Sequence, residues 1–468
     1  MTGGRLAIHG HFYQPDRRDP FSGTSPAEPG AAPYHDWNAR IDAECYRPNA
    51  ERGNLDRISF DLGPTLATWL AVADPATHAR LVAAARHDGI AQAYHHAILP
   101  LASLADRRTE VRWGIRDFEV RFGQRPRGLW LPETAVDLPT LRILAAEGIG
   151  WTILAPWQAA GDELDTRRPY RVELGQGKSI VACFYDGTLS AEVSFDAEAT
   201  SDADDFVRRR LLPRLAEPMD GGSEHPLVLI ATDGELYGHH RTFGDLFLER
   251  LAAPSAAAPD RGFDLVPLSA ALAEPPGQPF GSIGIVEQTS WSCHHGLARW
   301  HAECPDTANG RWKAPLRSAL ERLAGGIDAV TAQVSRRLSP SLDPWAARDT
   351  WIDVILGVES PDAFDRRWLG AAASQDAGRV LDALMEAQRC RLAMFTSDGW
   401  FWDDPDRPET RQLMRFAARA ARIVDGLGDT ALEARLVGDL GLLTSPSLGI
   451  DGGAIYRAAL REVGQPTG

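Results

Sequence analysis

Pro226-Leu-Val-Leu-Ile-Ala-Thr-Asp233-Gly-Glu235-Leu-Tyr237-Gly-His239-His240 reads as a buried strand running into a crowd of ionisable groups. The run 226–231 is nearly all apolar, as in strands of a parallel sheet covered by helices on both faces. In barrels and open α/β sheets chemistry gathers beyond the carboxyl ends of such strands. Two acids, two histidines and a tyrosine at one strand end are more than a turn needs.

Outward from that strand, further short apolar runs at 5–10, 128–131, 150–154 and 180–185 alternate with helical patterns at 64–85 and 138–147, the latter stopped by Gly148. This alternation is that of an α/β fold. The segment 14–54 has no clear period and reads as a long functional loop. Residues 252–262 read as a surface excursion. From 309 onward strands are absent and amphipathic helices follow, at 315–337, 378–395 and around Leu413, Phe416, Ala417, Ala420 and Val424, which share one helical face. The expected architecture is an α/β barrel-like domain over 1–290 followed by an all-α domain over 291–468.

The 468 residues carry 49 basic against 64 acidic side chains, a net charge of −15. So acidic a chain repels phosphate backbones, which argues against nucleic acid as a partner. Five cysteines without paired spacing (Cys45, Cys183, Cys293, Cys304 and Cys390) argue against a disulfide framework and fit a reducing compartment. The N-terminal apolar run 6–8 is too short for a signal peptide, and no stretch is long enough to span a membrane. A cytoplasmic protein is the expectation. The sequence carries no signal for oligomeric state.

Three strand ends could carry chemistry. In His9-Gly-His11-Phe-Tyr-Gln14-Pro15 the two histidines, at i and i+2 of an extended segment, point the same way. They could grip one ligand or a metal ion, or be a structural pair. In Leu129-Trp130-Leu-Pro132-Glu133-Thr134 a proline-fixed carboxylate follows an aromatic platform, the pairing a sugar site needs, although a glutamate at a helix start is the bland alternative. The third is the Asp233–His240 crowd. Carboxylates on separate strands suit glycoside hydrolysis, in which one acid protonates the leaving oxygen while the other attacks or stabilises the sugar cation. Glu133 and Asp233 form that pair, and repulsion and burial should raise the acid's pKa.

A fourth cluster, Trp291-Ser-Cys293-His294-His295-Gly-Leu-Ala-Arg299-Trp300-His301-Ala-Glu-Cys304, invites a zinc reading through Cys293, His294 or His295, His301 and Cys304. Its spacing matches no standard Cys/His pattern, so aromatic lining of a sugar cleft is preferred and neither metal nor cofactor is expected. Fourteen tryptophans, Trp400 and Trp402 among them, point the same way, although most must be core. Tyr94-His95-His96 could place a histidine at a further strand end, or simply in the core.

Together these segments resemble glycoside hydrolase family 57, in a branch with an uncharacterised helical C-terminal domain. The likeness runs through His9–Pro15, Tyr34-His-Asp-Trp37-Asn, Ile58-Ser-Phe-Asp-Leu-Gly-Pro-Thr65, Trp130-Leu-Pro-Glu133, Asp233-Gly-Glu235-Leu-Tyr237-Gly, the Trp291–Trp300 cluster and Met394-Phe-Thr-Ser-Asp-Gly-Trp400-Phe-Trp402. The resemblance implies an incomplete (β/α)7 barrel and retention of anomeric configuration on α-glucan oligo- or polysaccharides, by hydrolysis or glucanosyl transfer. It implies Glu133 as nucleophile and Asp233 as general acid/base, with His9, His11, Gln14, Trp37, His96, Trp130, Glu235, Tyr237, Trp291 and Trp400 binding substrate. Tyr13 stands where the family carries histidine, and Asp398 where the branch more often carries cysteine. Two other readings are a non-catalytic carbohydrate-binding barrel and a metal-dependent deacetylase or mannosidase-like enzyme.

Overall fold

The computed structural model describes residues 4–161, 164–219, 226–253, 261–273 and 280–462. Its strands are β1 (Gly4–Phe12), β2 (Ser59–Leu62), β3 (Gly89–Gln92), β4 (Leu129–Trp130), β5 (Trp151–Leu154), β6 (Ala159–Ala160), β7 (Tyr170–Gly175), β8 (Lys178–Phe184), β9 (Leu227–Asp233), β10 (Phe263–Leu265) and β11 (Gly284–Ile285). The five sequence-predicted strands are β1, β4, β5, β8 and β9. Strands β2 and β3 escaped the apolar-run reading because they bury polar side chains, Ser59 and Asp61 on β2 and Gln92 on β3.

The described residues fall into two compact units. The first comprises 1–14, 28–93 and 118–291; the second comprises 15–27, 94–117 and 292–468. In the first, parallel pairing runs β9–β1–β2–β3–β4. It passes through a parallel bridge between Gly128 and Trp151 to β5, and from β5 to β8. Just beyond β8 the Asp186 amide donates to Leu229 O of β9 at 2.7 Å, so the parallel set curves back on itself. This is the barrel-like α/β architecture expected from the alternation of strands and helices. Antiparallel β7 covers the edge of β8, and β10 pairs with the first residues of β1.

The barrel interior is apolar below and polar above. Ala7, Ile90, Ile153, Cys183, Leu227 and Leu229 pack in one buried cluster, each large aliphatic side chain contributing ~1.5–3 kcal/mol by leaving water. Register sets what stands above them: His9 pairs with Ser59 and Ala231, and His11 with Asp61 and Asp233. Alternation along a strand puts His9 and His11 on one face, so polar groups from adjacent strands meet at the carboxyl ends.

Two local expectations are corrected. The helix predicted over 64–85 is two helices, Pro64–Ala73 and Pro75–Asp88. Pro75 cannot extend the first, and the Asp74 side chain caps the second by accepting from the Thr77 amide. The segment 14–54 is not structureless: it holds helices Trp37–Ile41 and Arg47–Glu51 joined by a wider turn over Asp42–Tyr46. Most of the excursion at 252–262 lies outside the described residues.

The second unit is helical, with Lys313–Leu338, Gln375–Ala393 and Pro408–Leu427 its longest helices after 292. Leu413, Phe416, Ala417, Ala420 and Val424 are all buried, as their spacing predicts. A buried polar knot joins these helices to the 94–117 segment. Asp106 receives Arg348 at 2.8 Å and Arg391 at 2.8 Å, while Arg391 also reaches Asp328 at 2.7 Å.

One packing contact gives a test of the barrel. A Cβ built on Gly128 would lie 2.6 Å from the Trp151 ring, closer than side chains approach. Gly128→Ala should cost ~1–3 kcal/mol, read as a lowered melting temperature. Wild-type melting would mean that the indole can swing aside.

Candidate active site

Asp61 on β2 lies wholly buried at the floor of the site. His9 Nε2 reaches its Oδ1 at 3.0 Å and His11 Nδ1 its Oδ2 at 2.8 Å, while Gln92 on β3 donates to Oδ2 at 2.6 Å. Burial alone would raise this carboxyl, but the charge and hydrogen bond of His11, with the hydrogen bond of His9, hold it below the ordinary carboxylate range. For His11 burial lowers the pKa, yet Asp61, Asp233 and Glu235 outweigh it and push the imidazole up to about 9. Both histidine rings stack on Trp130, at centroid distances of 5.0 and 4.9 Å.

Glu133 follows β4 in a short helical turn, Pro132–Thr134. It adopts φ 58°, and Thr134 φ 49°, a left-handed pair that ordinary side chains avoid at ~1–2 kcal/mol per residue. Trp291 holds the geometry twice: its amide donates to Glu133 O at 3.0 Å, and its indole Nε1 to Glu133 Oε2 at 3.0 Å. The Trp291 ring also meets Trp130 edge to face at 4.9 Å.

Asp233 ends β9, with its side chain open to solvent although protein surrounds it closely. Desolvation, with the charges of Glu133 and Asp61 added and His11 opposing, pushes its carboxyl up to about 6. Glu133 and Asp233 are therefore near enough for one charge to resist the other. Two residues on, Glu235 is buried and accepts from Tyr46 Oη at 2.6 Å. Burial, followed by the Asp233 charge and against the Tyr46 hydrogen bond, pushes Glu235 up to about 7.

A posed carboxylate, an acid raised to about 6 and an imidazole raised to about 9 stand together here, an arrangement able to give and take protons. Residues 77–259 match the model described as "Glycosyl hydrolase family 57", and residues 309–463 match "Domain of unknown function (DUF3536)". The part of the barrel within 77–259 is thus similar to family 57. Among solved structures the chain is similar to an exo-type maltose-forming amylase from Pyrococcus sp. ST04, with 15% identity, a TM-score of 0.71, and coverage of 98% of this chain and 89% of that one. A family 57-type branching enzyme from Pyrococcus horikoshii gives 15% identity and a TM-score of 0.64 over 98% and 94% of the two chains. The α-amylase AmyC from Thermotoga maritima gives 14% and 0.55 over 98% and 99%. At these identities the likeness is one of fold. No curated protein matches the chain by sequence.

Within the structure the predicted residues take different places. His9, His11, Trp130, Glu133, Asp233, Glu235 and Trp291 share the site just described. Gln14 acts on Tyr46 through a side-chain hydrogen bond, which joins it to Glu235. Trp37 is half-buried under the Arg40 guanidinium and edge-on to His239 at 5.9 Å. Tyr237 is almost wholly buried, so it supports the loop rather than presenting a face. His96 and Trp400 belong to the second unit. There His96 takes φ 54°, and its Nδ1 meets Ser397 Oγ at 2.6 Å, while buried Trp400 stacks on Trp312. Trp400 is thus a core residue where a ligand platform was expected. No helix is long and apolar enough to cross a membrane among the described residues.

Sequence reasoning missed Asp61, Gln92 and Tyr46 as site residues. For Asp61 the alternation in Ile58-Ser-Phe-Asp-Leu62 puts Ser59 and Asp61 on one face of the strand, a pattern that equally fits a polar face turned to solvent. Gln92 and Tyr46 had no such signal.

Because His11 is raised from 6.5 to about 9, its contribution to stability is complete below pH 6.5 and is lost as pH rises through about 9. The melting temperature should fall across that window, and His11→Gln should flatten the slope. A wild-type profile level from pH 6.5 to 9 would refute this coupling.

Proposed function

We propose that this chain is a retaining enzyme acting on α-glucan oligo- or polysaccharides, as a hydrolase or glucanosyltransferase of amylase, branching or 4-α-glucanotransferase type. The family 57 match supports the enzyme class. The observation that carries the mechanism is Glu133, fixed by two donors of Trp291 within electrostatic reach of Asp233. In the first step a Glu133 oxygen bonds to the anomeric carbon as the glycosidic bond breaks, and Asp233 gives its proton to the departing oxygen. In the second, Asp233 takes a proton from water or a sugar hydroxyl, whose oxygen displaces Glu133 from the same face the first sugar left. Two displacements return the original anomer. Whether water or sugar attacks separates hydrolysis from transfer.

In this reading His11 and Glu235 hold hydroxyls of the reacting sugar, His9 and Gln14 position them, and Trp291 serves as an aromatic wall. Trp130 and Tyr237 act beneath that surface, and Trp37 lies farther along the sugar path. His96, whose ring is taken up by Ser397, and Trp400, packed in the core against Trp312, are given no sugar contact in it. The reading extends to a reducing, cytoplasmic setting, on the unpaired spacing of the five cysteines, and to a glycogen-like substrate.

Incubation with maltooligosaccharides and glycogen should give products of retained configuration. Glu133→Gln should cut turnover by roughly 10⁴-fold or more while leaving the fold intact. Asp233→Ala with added azide should yield a glycosyl azide of retained configuration. Undiminished turnover in Glu133→Gln, or inverted wild-type products, would overturn the assignment. With Asp233 pushed up to about 6, the rate should decline as pH rises past about 6, since the general acid must be protonated. A rate still climbing at pH 8 would exclude Asp233 from that role.

A further inference from the structure

The segment that follows Trp291 has almost no regular structure of its own. Between 292 and 312 the backbone forms only the single turns Ala298–Trp300 and Gly310–Trp312. Nevertheless it buries Cys293, Trp300, Cys304 and Trp312 almost completely. An irregular stretch that buries such side chains needs something to hold its shape.

Four potential ligands converge there. Cys293 Sγ and Cys304 Sγ stand 3.4 Å apart, Cys304 Sγ lies 3.7 Å from His295 Nδ1, and His295 Nδ1 lies 3.2 Å from Asp306 Oδ2. One donor atom from each residue fits within 4.8 Å of all the others. A tetrahedral zinc ion, with bonds of ~2.3 Å to sulfur and ~2.0–2.1 Å to nitrogen or oxygen, sets edges of roughly 3.8 Å for S···S, 3.6 Å for S···N and 3.3 Å for N···O. The three separations just given follow that pattern to within a few tenths of an ångström. They do not follow a disulfide, whose sulfurs lie ~2.05 Å apart.

Charge gives a second, independent indication. Lys313 opens the next helix wholly buried, and its Nζ has no hydrogen-bond partner among the described residues. Burial, with the Arg299 charge, lowers its pKa to about 8, while Cys304, Cys293 and Asp403 act the other way. Two thiolates, one carboxylate and a divalent ion would make a centre of net charge −1, which favours the charged form of a buried ammonium nearby. The Asp306 carboxylate is further oriented by the His294 amide at 3.0 Å, an outer-sphere support usual around metal ligands.

We propose that Cys293, His295, Cys304 and Asp306 bind one zinc ion in a closed structural site that fixes the 293–306 segment. Four protein ligands leave no open coordination position, so the ion has a folding role rather than a hydrolytic one. The sequence pattern was misleading here because it offered His301 as a ligand, whereas the chain folds Asp306 into that place, two residues after Cys304.

The test uses the full-length chain purified without chelator. Elemental analysis should find about one zinc per chain, falling below about 0.1 in Cys304→Ser and His295→Ala. Exchange with Co²⁺ should give a thiolate-to-cobalt charge-transfer band and the visible bands of a tetrahedral ion. If the cysteine variant fails to fold, Asp306→Ala at an exposed position supplies the reading, with faster zinc release to a colorimetric chelator and an unchanged circular-dichroism spectrum. A metal-free wild-type chain, or a Cys293–Cys304 disulfide seen as a loss of two hydrogens by intact mass, would overturn the site. Zinc that persists unchanged in both His295→Ala and Cys304→Ser would overturn it as well. None of these readouts depends on glucan turnover.

Discussion

The buried carboxylate of Asp61 ties three strands of the barrel into one site. It takes His9 and His11 from β1 and Gln92 from β3, and the two imidazoles it orients lie against Trp130 of β4. A charge so deep is tolerable only because it is fully partnered; removing it would leave an imidazolium buried without its counter-ion. The electrostatics around it follow. Asp61 favours the charged form of His11, His11 moderates Asp233 and Glu235, and desolvation with the neighbouring carboxylates prevails over that moderation, pushing the two acids up to about 6 and about 7.

Glu133 depends on a different kind of support. Its left-handed backbone has no local cause, since neither glutamate nor the following threonine prefers that conformation. Tertiary hydrogen bonds from Trp291 hold it. His96 is another of the non-glycine residues at positive φ, and it too is closed by a distant partner: Ser397 Oγ meets its ring and the Ser397 amide donates to its carbonyl.

What could be read from the sequence follows the physics of each element. Strand β9 was legible because burial on both faces leaves a run of Leu, Val and Ile, and the helix bearing Leu413 to Val424 because one buried face recurs every three to four residues. Strands β2 and β3 were not, since Ser59, Asp61 and Gln92 point polar atoms inward and erase the apolar signature. Their polarity is tertiary: it makes sense only opposite His9 and His11. Asp233 and Glu133 could be recognised as carboxylates at strand ends, whereas the burial of Trp400 against Trp312 could not be distinguished from an aromatic platform by residue type alone. The metal-like cluster failed for a related reason. Spacing rules count residues along the chain, but Asp306 joins Cys293 and His295 through the fold of an irregular loop.

The two hydrogen bonds between Glu133 and Trp291 span 158 residues of chain. A chain emerging from the ribosome therefore exposes β4 and its glutamate long before the partner that poses that glutamate exists. Until residue 291 arrives, position 133 is free to relax to an ordinary backbone conformation, and the carboxylate has no fixed direction. The site takes its shape only after every strand of the barrel has been made, so a truncated or stalled product carries Glu133 without the pose that Trp291 gives it.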